Sequence, residues 1–366
     1  MKYKKIGEDW QEFDAGGDYM IEQIEVCGKA LLMLCRKKGE QFLKYKKIGE
    51  NAIILGERHG GYFLEFIYGD DSKFIYSFQS FLTPRTFYQV DTKTMLEEKV
   101  WSMKGIDTTK YKSMRKMVPI GNVEVPIDMV MREDYKTGRC LMYGYGAYGM
   151  NSEIKYDEKI FGLLDEGFMY VVVNVRGSSY MGRKFYEDGK MKRKMNSFRD
   201  FIGVGEYLIR EGYCEKGGLS IEGRSAGGLL VAASAVMRPD LFRNVIALVP
   251  FVDVLVTMSD GSIPLTAMEW KEWGNSNYLG YYNLMSKYSP VDNVREGVKY
   301  PNFYVTGGLN DGRVGYWEPV KLVANLRRVG GSEVVLRVKM GGHFTARDRY
   351  KYLEEVAEKY VFLIKN

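Results

Sequence analysis

Leu219-Ser-Ile-Glu-Gly-Arg-Ser-Ala-Gly-Gly-Leu-Leu-Val-Ala-Ala233 decides the reading of this 366-residue chain. A short apolar strand, Leu219–Glu222, runs into Gly223-Arg-Ser225-Ala-Gly227, and a helix of small residues, Gly227–Met237, runs out. A serine at such a strand-to-helix turn sits in strained backbone. Side chains two positions away on either side would strike the neighbouring chain, hence the glycines. The turn also points Ser225 at a helix N-terminus, whose backbone N–H groups can receive an oxyanion.

Outward from this turn the texture is regular. Apolar runs at Leu141–Tyr145, Met169–Val175, Val245–Val249, Phe303–Thr306 and Val334–Lys339 predict strands. Between and after them, Ser197–Arg210, Tyr316–Val329 and Arg349–Leu363 have helical periodicity. This alternation predicts an α/β domain over residues 109–366, a doubly wound and mostly parallel sheet covered on both faces.

Residues 1–108 read differently. Ala30–Cys35, Gln41–Tyr45, Ala52–Leu55, Tyr62–Tyr68 and Phe74–Phe78 are short, β-branched or aromatic runs parted by Gly, Asp and Lys turns. Lys2-Tyr-Lys-Lys-Ile-Gly-Glu8 recurs letter for letter as Lys44-Tyr-Lys-Lys-Ile-Gly-Glu50. That spacing suits the four-stranded blades of a β-propeller, about two of which would fit here. The boundary falls within Gly105–Val118.

Composition narrows the function. Hydrophobic residues make up 45% and charged residues 27%, as in a globular protein. The net charge of +6 is spread over mixed basic and acidic residues, which argues against nucleic-acid or membrane-surface partners. The basic run Lys190-Met-Lys-Arg-Lys194 is expected to be a solvated helix lead-in. The opening Met1–Trp10 has no apolar stretch of the secretory kind, and four cysteines are too few for a disulfide framework. A cytoplasmic protein with reduced thiols is expected.

A serine needs a base to take its proton and a third group to orient that base. Only two histidines exist, so a histidine-rich metal site is excluded. His343, in Met340-Gly-Gly-His-Phe-Thr345, follows the last strand and suits the chain order serine, acid, histidine. His59 lies in the β-rich half and is expected at a turn. The preferred acid is Asp311, in the glycine-rich turn after Phe303–Thr306, with Asp253 its rival. A second oxyanion donor could be a tyrosine hydroxyl from Tyr143-Gly-Tyr145-Gly-Ala-Tyr-Gly149.

Taken together, these segments resemble the C-terminal part of the prolyl oligopeptidase family, on the oligopeptidase B side of it. Tyr143–Gly149, Val173–Gly177, Gly182–Gly189, Gly223–Val231, Arg238–Phe242, Val249–Val254, Ser262–Thr266, Glu272–Asn275, Ser289–Asn293 and Tyr316–Pro319 carry the likeness. It implies an α/β-hydrolase fold preceded by a small all-β remnant of a propeller. It implies a triad of Ser225, Asp311 and His343, with oxyanion donors from the Tyr145 hydroxyl and the Ala226 N–H. Arg313 matches an arginine that holds a substrate carbonyl. Glu269 falls on a carboxylate position that grips a P1 arginine or lysine, and Glu153 on one associated with P2.

The chain departs from the family at several points. Lys271 replaces a second acid and is expected to compete for Glu269, Lys155 replaces the other P2 acid, and Tyr180 replaces the glutamate of an Arg-Gly-Gly-Gly-Glu motif. The upstream propeller is much shortened, as in a natural short form, a fragment or a truncated gene model. Its exposed strands suggest a homo-oligomer.

The expected function is a serine endopeptidase cutting short peptides after Arg or Lys through an acyl-enzyme, without metal or organic cofactor. A broader peptidase or esterase, or an interaction protein with impaired catalysis, are the alternatives.

Overall fold

Strands rich in buried Val, Leu and Met assemble into an eight-stranded sheet. Its order is Tyr111–Ile120, Val123–Arg132, Phe168–Val173, Gly138–Gly144, Cys214–Arg224, Asn244–Leu248, Asn302–Gly308 and Val334–Lys339. Val123–Arg132 pairs antiparallel with Phe168–Val173, and every later pairing is parallel. Helices Met195–Arg210, Ala226–Met237, Trp317–Val329 and Arg349–Lys365 supply the crossovers and cover. Leu141, Phe168, Ile246 and Tyr304 from the strands pack against Leu163, Phe362 and Leu363 from helices in one core cluster.

The chain runs from Gly138–Gly144 outward to Phe168–Val173, then returns to Cys214–Arg224 on the other side. The carboxyl ends of Gly138–Gly144 and Cys214–Arg224 are therefore neighbours, with Tyr143 opposite Glu222. A crevice at such a switch point is where sheets of this kind bind ligands.

The computed structural model describes residues 2–3, 9, 11–12, 18–56, 60–344 and 349–366. Contacts divide the chain into two units, Met1–Met114 with Glu153–Glu158 and Tyr180–Arg183, and the remainder. The first unit contains two four-stranded antiparallel meanders. One runs Met20–Cys27, Ala30–Lys37, Glu40–Lys47, Ile53–Leu55, the other Tyr62–Gly69, Lys73–Ser80, Thr86–Asp91, Glu97–Ser102. Sequential four-stranded meanders of this kind are the blade unit of a propeller. Lys38 and Gly39 take φ of 47° and 83°, the left-handed pair that joins twisted strands through a two-residue turn. Leu32, Leu43, Leu64, Phe74, Tyr76 and Val90 form the unit's core.

Within Gly105–Val118 the chain enters the edge strand Tyr111–Ile120. It accommodates its charges by pairing: Arg115 forks onto buried Asp128 with contacts of 2.8 and 2.9 Å. The second copy of the heptad closes the strand Glu40–Lys47 and turns at Gly49. Most of the first copy, Lys4–Glu8, and His59 lie outside the described residues. Among the described residues no helix is long and apolar enough to cross a membrane.

Candidate active site

Ser225 joins the strand Cys214–Arg224 to the helix Ala226–Met237 with φ 57° and ψ −118°, a left-handed conformation that a serine adopts only under strain. The flanking glycines are needed for space. A Cβ on Gly223 would stand 2.0 Å from the Gly227 carbonyl oxygen, and one on Gly227 would stand 2.6 Å from that of Gly144. The Ser225 N–H donates to the Leu248 carbonyl at 2.9 Å, and its own carbonyl accepts the Phe251 N–H at 3.1 Å. Ala226 opens the helix, where backbone N–H groups have no intrahelical acceptor.

Asp311 and His343 come from the loops after adjacent strands, Asn302–Gly308 and Val334–Lys339. His343 Nδ1 lies 2.8 Å from Asp311 Oδ2, and both side chains are buried. The other oxygen of Asp311 accepts the N–H groups of Arg313 and Val314 at 2.8 and 3.0 Å. Burial alone would raise the Asp311 carboxyl, but the hydrogen bonds from His343, Val314 and Arg313 outweigh it and hold it below the usual range. With Nδ1–H given to the carboxylate, Nε2 is left as proton acceptor. Arg224, the residue before Ser225, donates to the His343 carbonyl at 3.0 Å and so ties the histidine loop to the elbow. The rival Asp253 faces elsewhere: its buried carboxylate pairs with Lys321 at 2.6 Å.

Tyr145 lies against the start of the elbow helix, its Cα 3.2 Å from where a Gly227 Cβ would be. Burial first, then the charge of Glu269, push its hydroxyl up to about 12, against the pull of Arg313. It is therefore a protonated donor at neutral pH. Glu269, on the helix Thr266–Trp273, receives the Tyr148 hydroxyl at 2.7 Å and the Trp273 indole N–H at 3.1 Å, both on Oε2. Trp273, Phe251 and Tyr148 build an aromatic wall beside it. Arg313 is exposed, its guanidinium 5.2 Å from the Phe344 ring centroid.

Two sequence readings need revision. Lys271 is exposed and two residues along the helix from Glu269, a spacing at which side chains do not face each other, so competition for Glu269 is not what the helix permits. In the basic run Lys192 and Arg193 are solvated, but Lys194 is only 2% exposed. Glu153 belongs to the first unit, where its Oε1 is 2.6 Å from Arg36 Nη2. There Lys155 lies over the Phe63 ring and Tyr180 is buried under the Arg36 guanidinium.

Two buried carboxylates were not singled out from sequence. Glu272 accepts the Tyr148 N–H at 2.9 Å and the Tyr186 hydroxyl at 2.7 Å. Glu318 accepts the N–H groups of Val252 and Asp253 and the Thr257 hydroxyl at 2.7, 2.9 and 2.9 Å, and so braces the segment behind Ser225. Burial pushes its carboxyl up to about 7. Both lie inside the segments that carry the family likeness, the only signal that could have marked them.

A strained serine between a parallel strand and a helix, beside an aspartate–histidine pair on the following loops, defines an α/β-hydrolase fold. The sequence pattern of the prolyl oligopeptidase family matches residues 155–366, and the chain belongs to that family. It is 41% identical over 305 residues to protease 2 of Moraxella lacunata, covering 81% of this chain and 44% of that protein. It is 40% identical to dipeptidyl aminopeptidase BI of Pseudoxanthomonas mexicana, covering 79% of this chain and 41% of that protein. The structure of oligopeptidase B from Leishmania major superposes with a TM-score of 0.89 at 34% identity, over 95% of this chain and 52% of that one. The chain thus spans about half the length of the relatives it matches.

Proposed function

We propose that this chain is a serine peptidase that hydrolyses short peptides on the carboxyl side of Arg or Lys. The observation that carries this reading is the buried Asp311–His343 pair at 2.8 Å, tied through Arg224 to the strained Ser225. Ser225 Oγ attacks the scissile carbonyl while His343 Nε2 takes its proton. The same imidazolium gives that proton to the leaving amine, and water then cleaves the acyl-enzyme by the reverse route. Asp311 orients the imidazole and stabilises its charge. The Tyr145 hydroxyl and Ala226 N–H receive the tetrahedral oxyanion.

Glu269 is assigned to the P1 cation, with its donors on Oε2 leaving Oε1 to face a guanidinium or ammonium group. Arg313 is assigned to a substrate carbonyl. Glu153 is left out of the substrate site because Arg36 engages it. That engagement favours a second reading, a peptidase or esterase less selective for basic residues.

We read residues 1–108 as about two propeller blades and 109–366 as the catalytic domain. We place the protein in the cytosol, a reading its four free, buried cysteines support. The exposed outer strand Glu97–Ser102, with Val100 and Trp101 on it, supports self-association.

Hydrolysis of benzyloxycarbonyl-Arg-Arg-aminomethylcoumarin against its Ala-Ala analogue tests the assignment, with Ser225→Ala as control. Preferential Arg-Arg cleavage, abolished in the control, is expected. Equal cleavage of both would favour the broader reading, and turnover that survives Ser225→Ala would overturn the mechanism.

A further inference from the structure

Two buried charged side chains hold the loop that follows Tyr145, and the catalytic steps use neither. Lys194 Nζ donates to the Gly146 carbonyl at 2.5 Å and lies 4.7 Å from the centroid of the Trp273 ring. Two residues further along the same loop, the Tyr148 N–H is held by Glu272. Gly146 and Tyr148 both adopt left-handed backbone, with φ of 71° and 59°. A loop with that conformation, in which Tyr148 is not a glycine, keeps its shape only if its surroundings impose it.

Burying an ammonium is costly unless its partners compensate. Here the principal acceptor is one backbone carbonyl, a single peptide plane beyond the tyrosine. The loop conformation next to the tyrosine sets where its hydroxyl stands, and a misplacement of about 1 Å is enough to cost about 100-fold in rate.

We propose that Lys194 is a positioning residue of the oxyanion hole, fixing the Gly146 carbonyl so that the Tyr145 hydroxyl and the Ala226 N–H converge on one oxygen. The role rests on Tyr145 being an oxyanion donor. It also explains why a lysine in a basic run is drawn wholly inside while Lys192 and Arg193 beside it stay in solvent. Ser197, one turn further along the same helix, reinforces the arrangement by donating to the Arg176 carbonyl at 2.6 Å and the Gly189 carbonyl at 3.1 Å.

A double-mutant cycle tests this with p-nitrophenyl butyrate, an uncharged ester that does not require Glu269. Tyr145→Phe is expected to lower kcat about 100-fold. Lys194→Met is expected to lower it about 10- to 100-fold with KM held within about threefold, the mark of an interaction lost only in the transition state. If Lys194 acts through Tyr145, the double variant is no slower than Tyr145→Phe alone. Additive losses, or full activity in Lys194→Met, would overturn the role of Lys194 while leaving the catalytic reading intact. A Tyr145→Phe protein as fast as the unaltered one would remove the oxyanion assignment and this proposal with it. Should Lys194→Met not fold, Lys194→Gln takes its place in the same cycle with the same expectations.

Discussion

The two sides of Ser225 are held by different means. On the acid side, the loops of Asp311 and His343 are joined mostly by backbone. Asp311 takes the N–H groups of the two residues that follow Gly312, and the Asn310 N–H meets the Gly341 carbonyl at 3.2 Å. Gly308 lies so close to the histidine loop that a Cβ there would stand 2.7 Å from the Gly342 oxygen. On the other side, where we propose the oxyanion is bound, the Tyr145 loop is fixed by charged side chains far along the chain, Lys194 and Glu272, which reach it across separations of 48 and 124 residues. The acid side can be built by any glycine-rich turn of the right length. The oxyanion side depends on charges whose burial is stable only in the finished fold.

The same contrast divides two buried carboxylates. Asp311 and Glu318 each accept two backbone N–H groups, yet one is held below its usual range and the other pushed up to about 7. Burial raises both: at Glu318, whose donors are uncharged and whose neighbour Asp253 works against ionisation, it prevails, whereas at Asp311 the bonds from His343 and the backbone outweigh it.

The largest expected effect is on the acid side. Asp311→Asn keeps acceptors for the backbone but donates to His343, holding the wrong tautomer, and kcat should fall about 10⁴-fold with little change in melting temperature. A loss below tenfold would break the assignment of Asp311.

Glu318 comes next. Its folded pKa lies above its unfolded one, so the native chain holds a proton that the unfolded chain releases between pH 4.5 and about 7. Stability should therefore fall as pH rises through that window, by up to about 3 kcal/mol from this group. In Glu318→Gln that part of the slope disappears, as urea midpoints at pH 5 and pH 8 would show. Identical slopes in the two proteins would refute it.

Glu272→Gln sharpens the comparison by removing the carboxylate that favours a charged Lys194. It should destabilise the fold by about 2 kcal/mol, a loss that Asp311→Asn does not show, measurable by chemical denaturation. Equal stabilities of the two variants would mean the two sides are held alike.

The smallest effect belongs to Lys271→Glu. Because residue 271 is exposed and points away from Glu269, kcat/KM for the Arg-Arg substrate should change by less than about twofold. A tenfold gain would show that the two positions share a substrate group after all.

Much of this was legible beforehand. The parallel strands and long helices came within a few residues of their observed bounds, because apolar runs of this length have few alternatives to a buried sheet. Met20–Cys27, Thr86–Asp91 and Glu97–Ser102 were not recognised, since half-exposed strands in small sheets carry mixed residues. The edge strand Tyr111–Ile120 is not legible as a strand, because its lysines and arginines look like a linker until Asp128 is found opposite Arg115. Lys194 looked like its solvated neighbours for a related reason: composition does not reveal which of several lysines in a helix lead-in turns inward.

What the sequence determined by itself was the strand–Gly-x-Ser-x-Gly–helix pattern around Ser225, a histidine late in the chain as the candidate base, and the two textures of the chain. Each is written in local spacing: glycines two residues from a serine, an apolar run before a turn, an alternation repeated. Only the tertiary structure decided that Asp253 belongs to Lys321, that Lys271 faces away from Glu269, that Arg36 engages Glu153 and that Lys194 is buried behind Tyr145. Those outcomes depend on which charges meet when distant segments pack. A charge commits to a partner only once water has been excluded around both, and local sequence does not encode that.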